Sequence, residues 1–325
     1  MANSSTPTTQ TTLNPTLNND VEIHQNDLPK ARFWEAMDIT QWEGFWFGSG
    51  LLKPAITFKS SFQAQGDDVF LASTMKTGTT WLKSLSLCIM KNRDNFKHEH
   101  DMLTVENPHF HIPTIESTLY STKPLTINIY DASTPRLLHT HLPYTVLPDS
   151  IKNSSCKIVY MARNPKDTLI SMWHFFNSFL RQDQESFPLE KAVDCFCSGV
   201  HQYGPFLDHV LEYWTESQKR PCKVLFVKYE DMKSDPKGEV SRIAEFLGRP
   251  FGDEREVDEV LWRCSLERLK NLEVNKSGSI LLNVPNTSYF RKGEVGDWKN
   301  YLTSDMADRI DQTIGLKLEA FGLFL

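Results

Sequence analysis

The stretch Val69-Phe70-Leu71-Ala72-Ser73-Thr74-Met75-Lys76-Thr77-Gly78-Thr79-Thr80-Trp81 decides how this chain is read. Residues 69–73 are short and apolar and follow the acidic pair Asp67-Asp68, the pattern of a buried strand. Beyond the loop, Leu82, Leu85 and Ile89 recur at helical spacing, which predicts a helix over residues 79–90. Gly78 therefore stands where strand becomes helix, and a residue without a Cβ lets backbone N–H groups close around an anion. The helix N-terminus adds partial positive charge, Lys76 a full one, and Thr77, Thr79 and Thr80 bring hydroxyl donors. A nucleoside-triphosphatase loop reads G-x-x-x-x-G-K-[ST], with lysine after glycine. Here lysine precedes glycine, so the loop is a relative of that phosphate cradle. An ordinary strand-to-helix turn is the plainer alternative.

The 325 residues carry 41 acidic and 35 basic side chains, a net charge of −6. That balance argues against a nucleic-acid coat or an anionic membrane surface as partner, so any cation acting on phosphate acts locally. A hydrophobic content of 40%, with 11% aromatic residues, suffices for a large core. Six cysteines without C-x-x-C spacing read as buried free thiols of a reducing compartment. Residues 4–19 are rich in Thr, Asn and Ser and hold no lysine or arginine, unlike a secretory signal or a transit peptide. Residues 1–30 read as a disordered polar tail. No run approaches the length of a membrane span, and the cytoplasm is the expected compartment.

Further strands are predicted at residues 136–141, Lys157–Ala162 and 223–228, alternating with helical patterns. Asn164-Pro165-Lys166-Asp167 offers an N-cap, a proline at the first helical position and an acid at the third. Asp235-Pro236 opens another helix, which Gly248 closes. Residues 205–219 place Phe206, Val210, Leu211 and Trp214 on one face. This alternation predicts an α/β fold: a single domain over residues 31–325 with a central, mostly parallel sheet flanked by helices. Ligands of such sheets bind beyond the carboxyl ends of the strands, where the loop at Lys76 lies. The cluster Phe33, Trp34, Trp42, Phe45, Trp46 and Phe47 begins the folded part and fits either a core or a pocket wall.

Other segments carry groups suited to phosphate or hydroxyl recognition. Arg163 precedes the Asn-Pro-Lys-Asp helix start, and Ser171 follows two turns into that helix. Tyr229 ends the strand that begins near residue 223, and Arg291-Lys292-Gly293 precedes Val295-Gly296-Asp297-Trp298. Taken singly, each fits an ion pair or a solvated turn as well as an anion clamp. Taken with Lys76-Thr77-Gly78-Thr79-Thr80-Trp81 and Thr140-His141-Leu142-Pro143, they resemble the cytosolic sulfotransferases in content and order, from about Trp34 to the C-terminus. Asn271-Leu272-Glu273-Val274-Asn275-Lys276 resembles the plant branch.

The resemblance implies 3′-phosphoadenosine 5′-phosphosulfate (PAPS) as donor and no metal. It implies transfer of a sulfuryl group to a hydroxyl of a small, largely apolar acceptor: a phenol, flavonoid, steroid-like or terpenoid alcohol. By motif, Lys76, Thr77, Gly78, Thr79 and Thr80 hold the phosphosulfate, and Lys76 also stabilises charge on the leaving oxygen. Trp81 stacks on adenine and Tyr229 contacts the base. Arg163, Ser171, Arg291, Lys292 and Gly293 bind the 3′-phosphate, and His141 is the catalytic base. Sulfuryl transfer, like phosphoryl transfer, needs in-line positioning and charge stabilisation, and a histidine can take the acceptor's proton. The acceptor pocket is expected to draw on Trp42, Phe45, Trp46, Phe47, the segment His109-Phe110-His111, and Trp173, His174, Phe175 and Phe176.

The chain departs from the family pattern at Met75, where proline is usual, and at Leu266, where an aromatic residue often lies near adenine. His139 shares a strand face with His141 and is expected to line the acceptor pocket or tune the base. Lys299 and Thr303 only partly match the dimer signature of animal members, which leaves a monomer or a weak homodimer. Two rivals compete. A metal-dependent hydrolase would use the His-x-His pairs His98/His100, His109/His111 and His139/His141, but no carboxylate or cysteine completes a ligand set. A P-loop-like kinase is opposed by the lysine-before-glycine order.

Overall fold

A computed structural model describes residues 27–91, 101–120, 135–182, 184–280 and 284–325. The predicted tail falls mostly on residues 1–26, outside the described residues, and Lys30 already belongs to a strand. An antiparallel meander of β1 (Lys30–Phe33), β2 (Met37–Trp42) and β3 (Phe45–Gly48) comes first. Aromatic density concealed it from the sequence reading. The turn between β2 and β3 places both Glu43 (φ +49°) and Gly44 (φ +85°) in the left-handed region, as a tight two-residue hairpin requires.

The central sheet contains β4 (Val69–Ser73), β5 (Leu137–Thr140), β6 (Lys157–Ala162) and β7 (Val224–Lys228), in the order β5-β4-β6-β7. All three pairings are parallel, as the alternation of strands and helices predicts. Side chains alternate across the sheet, so each strand feeds two cores. Phe70, Ala72, Leu138, Ile158, Tyr160 and Phe226 join one cluster with the aromatic residues of the meander. Val69, Leu71, Leu137, Val159, Met161 and Val227 join the other, with Leu82, Leu85 and Ile89 of the helix Thr79–Lys91. Covering helices on both faces explain why these strands read as continuous apolar runs.

The helix starts follow their sequence signals. Asn164 caps the helix Pro165–Leu180 by accepting from the Lys166 N–H, and Asp235 caps Pro236–Phe246 by accepting from the Gly238 N–H. Gly248 lies just beyond the second helix at φ +75°. The helix Phe206–Lys219 buries Phe206, His209, Val210, Tyr213 and Ser217. Leu211 and Trp214 are half-buried at the flank of that face, because two polar tips, His209 and Tyr213, find partners inside. All six cysteines are free; Cys88, Cys156 and Cys264 are buried, Cys195 and Cys197 half-buried, and Cys222 exposed. Among the described residues, no helix is long and apolar enough to cross a membrane.

Candidate functional site

Parallel pairing in register aligns the four carboxyl ends at one edge of the sheet, and each end delivers a singled-out residue. Ser73 at the end of β4 leads into the 74–81 loop, β5 into His141, β6 into Arg163 and β7 into Tyr229. Together they border a cavity of about 560 Å³. Lys76, Gly78, Thr79, Thr80 and Trp81 line it, as do His141, Arg163, Ser171 and Tyr229, and Arg291, Lys292 and Gly293 close it. Thr77 does not line it. Its single hydroxyl proton is shared between the carbonyls of Thr74 (3.0 Å) and Met161 (2.9 Å), tying the loop to β6.

The loop is shaped by steric need at two positions. Lys76 has φ +68° and Gly78 φ +112°. A Cβ on Gly78 would come within 2.5 Å of Met161 Sδ and 2.9 Å of the Tyr229 ring, so only glycine lets the loop sit on this floor. Met75 is half-buried, packs against the core cluster that holds the meander and also borders the cavity. It thus replaces a rigid residue by an apolar anchor.

Four cations, Lys76, Arg163, Arg291 and Lys292, converge on the cavity. Lys76 Nζ lies 4.0 Å from the Phe175 ring centroid and 3.5 Å from the Ser288 carbonyl. Burial first, then the charges of Arg291 and Arg163, push its pKa down to about 7. Arg163 stacks on Tyr229 (4.3 Å), donates to the Glu294 carbonyl (2.5 Å) and lies 3.7 Å from Asp167. Arg291 and Lys292 both donate to Asp297, at 2.6 and 2.7 Å. Burial of Asp297 raises its pKa, but the bonds from Lys292 and Arg291 outweigh it and hold the carboxyl well below the usual range. Structural ion pairs and anion recognition therefore coexist: each arginine is pinned on one side while its buried Nε has no partner among the described residues. An anion of two or more charges in the cavity would offset the mutual repulsion of the cations.

Sequence reasoning missed the two acids that organise this cluster. Asp167, the third residue of its helix, does not close a capping box. Its carboxylate accepts from the Gly296 N–H (2.7 Å) and the Trp298 N–H (3.0 Å), fastening the Gly-Asp-Trp turn to the helix. The Asn164 N–H goes instead to Glu230 (3.0 Å). The signal was present in the acidic residue of the helix start, but the partners of Asp167 lie about 130 residues away.

Tyr229 donates its hydroxyl to the Gly293 carbonyl (2.8 Å), and Trp81 meets its ring edge-to-face at 5.5 Å. Leu266 also borders the cavity, packed so near Gly293 that a Cβ there would lie 2.7 Å from it. Trp81, Tyr229 and Leu266 make an apolar corner suited to a flat base.

His141 is held by two contacts. Its backbone N–H donates to Glu116 (2.7 Å), and Nδ1 lies 2.8 Å from the Ser73 carbonyl. A carbonyl only accepts, so the ring proton sits on Nδ1 and Nε2 keeps its lone pair. Burial, partly offset by the Ser73 bond, pushes the His141 pKa down to about 3. The ring is therefore neutral across the physiological range, with the Nε2 lone pair free. His139 does not line the acceptor end: it is buried, 4.5 Å edge-to-face from His141, and bonds to Ser73 and Thr114.

The acceptor end is smaller than the expected aromatic set. His109, Phe175 and Tyr289 line the cavity on the side of His141 and Lys76, His174 lies beside Arg291 and Lys292, and Trp42, Phe45, Trp46, Phe47 and Phe176 belong to the core. Trp173 spends its N–H on the Phe187 carbonyl, and His111 bonds the Met102 carbonyl. His109 and His111 lie on a short helix (Pro108–His111), and His98 and His100 lie outside the described residues. No group of three or more His, Cys, Asp or Glu suited to a metal occurs among the described residues. Thr303 caps the helix Ser304–Ile310 by accepting from the Met306 N–H.

Residues 66–322 match the sulfotransferase domain. The chain is 44% identical over 294 residues to flavonol 4′-sulfotransferase of Flaveria chlorifolia, covering 88% of this chain and 90% of that protein. It is 41% identical over 302 residues to cytosolic sulfotransferase 12 of Arabidopsis thaliana, covering 92% and 91%. A crystal structure from A. thaliana, provisionally assigned as a steroid sulphotransferase, superposes with TM-score 0.76 at 34% identity, over 99% of this chain and 100% of that one. A mouse sulfotransferase complexed with PAP gives TM-score 0.68 at 27% identity, over 86% and 94%.

Proposed function

The chain belongs to the sulfotransferase family, and from that premise we propose which residues move a sulfuryl group from PAPS to a hydroxyl of a small acceptor. The observation that carries the reading is a cavity with a cation, Lys76, and a base with a free lone pair, His141, on its wall. The side chains of Lys76, Arg163, Arg291 and Lys292 on one cavity wall, beside the apolar corner of Trp81, Tyr229 and Leu266, fit a nucleotide that carries anionic groups. When bound, PAPS supplies a sulfuryl group on a leaving phosphate.

Lys76 and the N–H groups of the first helical turn bind that phosphate, and Lys76 neutralises the charge that grows on its bridging oxygen. Arg163, Ser171 and the Arg291-Lys292-Gly293 turn hold the 3′-phosphate. Trp81, Tyr229 and Leu266 orient the base. His141 Nε2 accepts the proton of the acceptor hydroxyl while Glu116 and the Ser73 carbonyl fix the ring. Thr77 shapes the loop from beneath. The part of the chain from β1 onward acts as one sulfotransferase domain behind a polar N-terminal segment, as a monomer or weak homodimer in the cytoplasm, in keeping with relatives named cytosolic.

The rings of His109, Phe175 and Tyr289 on the cavity wall suit stacking against an aromatic acceptor, so a phenol or flavonoid-like acceptor is favoured over a steroid-like or terpenoid alcohol. The name of the flavonol 4′-sulfotransferase supports the same class. The test is incubation with isotopically labelled PAPS and a plant metabolite extract, with mass spectrometry of sulfated products. Sulfated aromatic hydroxyls are expected, and no product with wild-type protein, or undiminished product with His141→Ala, refutes the assignment.

A further inference from the structure

Behind the cradle, buried polar atoms form one connected chain that the reaction above leaves without a role. Lys83, wholly buried on the helix Thr79–Lys91, donates to His109 Nδ1 at 3.1 Å and to Thr114 Oγ1 at 3.0 Å. His109 Nε2 lies 3.0 Å from Thr80 Oγ1. On the other branch, Thr114 Oγ1 lies 2.9 Å from His139 Nδ1, and His139 Nε2 lies 3.2 Å from Ser73 Oγ. Ser73 Oγ is 2.7 Å from Thr79 Oγ1. Both branches thus start at one ammonium and end at adjacent threonines that line the cavity.

An ammonium only donates. Lys83 therefore makes His109 Nδ1 an acceptor, which puts the ring proton on Nε2 and directs it at Thr80 Oγ1. The hydroxyl proton of Thr80 is left to point into the cavity. Thr114 Oγ1 accepts from Lys83 and has one proton of its own, and a buried hydroxyl places that proton on an acceptor. The acceptor in reach among the described residues is His139 Nδ1. His139 then donates from Nε2 to Ser73, Ser73 donates to Thr79, and the Thr79 proton is likewise turned to the cavity. Without the charge at Lys83, every bond in both branches can reverse, and each threonine can spend its proton inward.

We propose that Lys83 is a positioning residue: its charge sets the direction of both relays, so that Thr79 and Thr80 present hydroxyl protons to the phosphosulfate. The proposal rests on reading the 74–81 loop as the phosphosulfate cradle. It also gives His139 a task, as a neutral donor stacked edge-on to His141 that carries orientation to Thr79.

The test uses the full chain with 15N-labelled histidine and the product nucleotide, 3′-phosphoadenosine 5′-phosphate (PAP). Ring-nitrogen shifts of the wild-type protein, read without nucleotide at pH 6, where Lys83 keeps its charge although burial lowers its pKa to about 7, are expected to show His109 and His139 both protonated on Nε2. A proton on Nδ1 of either ring overturns the relay, and this needs no variant. Lys83→Met is expected to change the His109 tautomer and weaken PAP binding by calorimetry about tenfold, the scale of a charge-assisted hydrogen bond. Unchanged PAP affinity in a folded Lys83→Met protein overturns the proposal. If Lys83→Met does not fold, Thr80→Val and Thr79→Val replace it, and PAP affinity unchanged in both overturns the proposal equally. Failure of the wild-type protein to bind PAP refutes the cradle reading and the proposal with it, and is told apart because the tautomers are read without nucleotide.

Discussion

Lys76 gives the sharpest test, because its charge is opposed by the very site that is to use it. Burial beside Phe175, followed by the charges of Arg291 and Arg163, lowers its pKa to about 7. A bound phosphosulfate or phosphate reverses that environment and returns the ammonium toward its ordinary value near 10. The free site then carries a half-protonated lysine at pH 7 and the complex a protonated one, so binding takes up a proton. The sign follows: affinity is full below pH 7 and falls as pH rises. With a pKa of about 7, the protonated fraction drops from about one half at pH 7 to about 3% at pH 8.5. PAP affinity is expected to fall about fifteenfold over that interval on account of Lys76 alone. Lys83, also lowered to about 7 by burial, adds to the same slope. The Lys76→Arg variant separates the two, since arginine stays charged throughout. Calorimetry of PAP binding at pH 7.0, 7.75 and 8.5, in two buffers of different ionisation enthalpy, measures affinity and proton uptake together. A wild-type profile no steeper than that of Lys76→Arg refutes the reasoning.

Three further outcomes are expected. Gly78→Ala should lower stability by about 2 kcal/mol or more and abolish PAP binding, because φ +112° and the 2.5 Å approach to Met161 exclude a Cβ; thermal denaturation with a PAP titration checks it. His141→Gln should cut turnover by about a hundredfold or more while PAP affinity stays within about twofold. In the wild-type protein a His141 pKa of about 3 predicts no loss of kcat/KM between pH 7 and 5.5 from this base, and steady-state pH profiles decide both points. Thr77→Val should cost about 1–3 kcal/mol through loss of the one hydroxyl proton that the buried Thr74 and Met161 carbonyls share. In PAP binding it should lose less than Thr80→Val, whose hydroxyl borders the cavity. Equal losses in the two variants would contradict the division between loop-holding and ligand-facing threonines.

Local chemistry made the strands and helix starts legible. Val69–Ser73, Asn164-Pro165 and Asp235-Pro236 each carry their instruction within a few residues, as apolar run, cap or fixed φ, and the structure follows them. Where the instruction is spread along the chain, the reading falls short. The meander at residues 30–48 has so many inward aromatic residues that alternation is lost, and its pairing depends on neighbours rather than on pattern. The same density placed Trp42, Phe45, Trp46 and Phe47 in contention for a pocket that they only support from the core. Thr77 looked like Thr79 and Thr80, because a motif gives spacing and does not tell which way a hydroxyl points.

The sequence by itself determined the parallel α/β architecture, the cradle with lysine before glycine, and the residues that meet around one cavity. Those follow from periodicity, turn chemistry and charge, all encoded over short spans. Only the tertiary structure decided what those residues can do. It put the lone pair of His141 on Nε2 through a carbonyl 68 residues away, and pinned Arg291 and Lys292 on Asp297 and the Gly-Asp-Trp turn on Asp167. It also buried Lys83 where two hydrogen-bond chains begin. Hydrogen-bond direction and pKa depend on which groups share a low-dielectric space, and folding brings those groups together from distant parts of the chain.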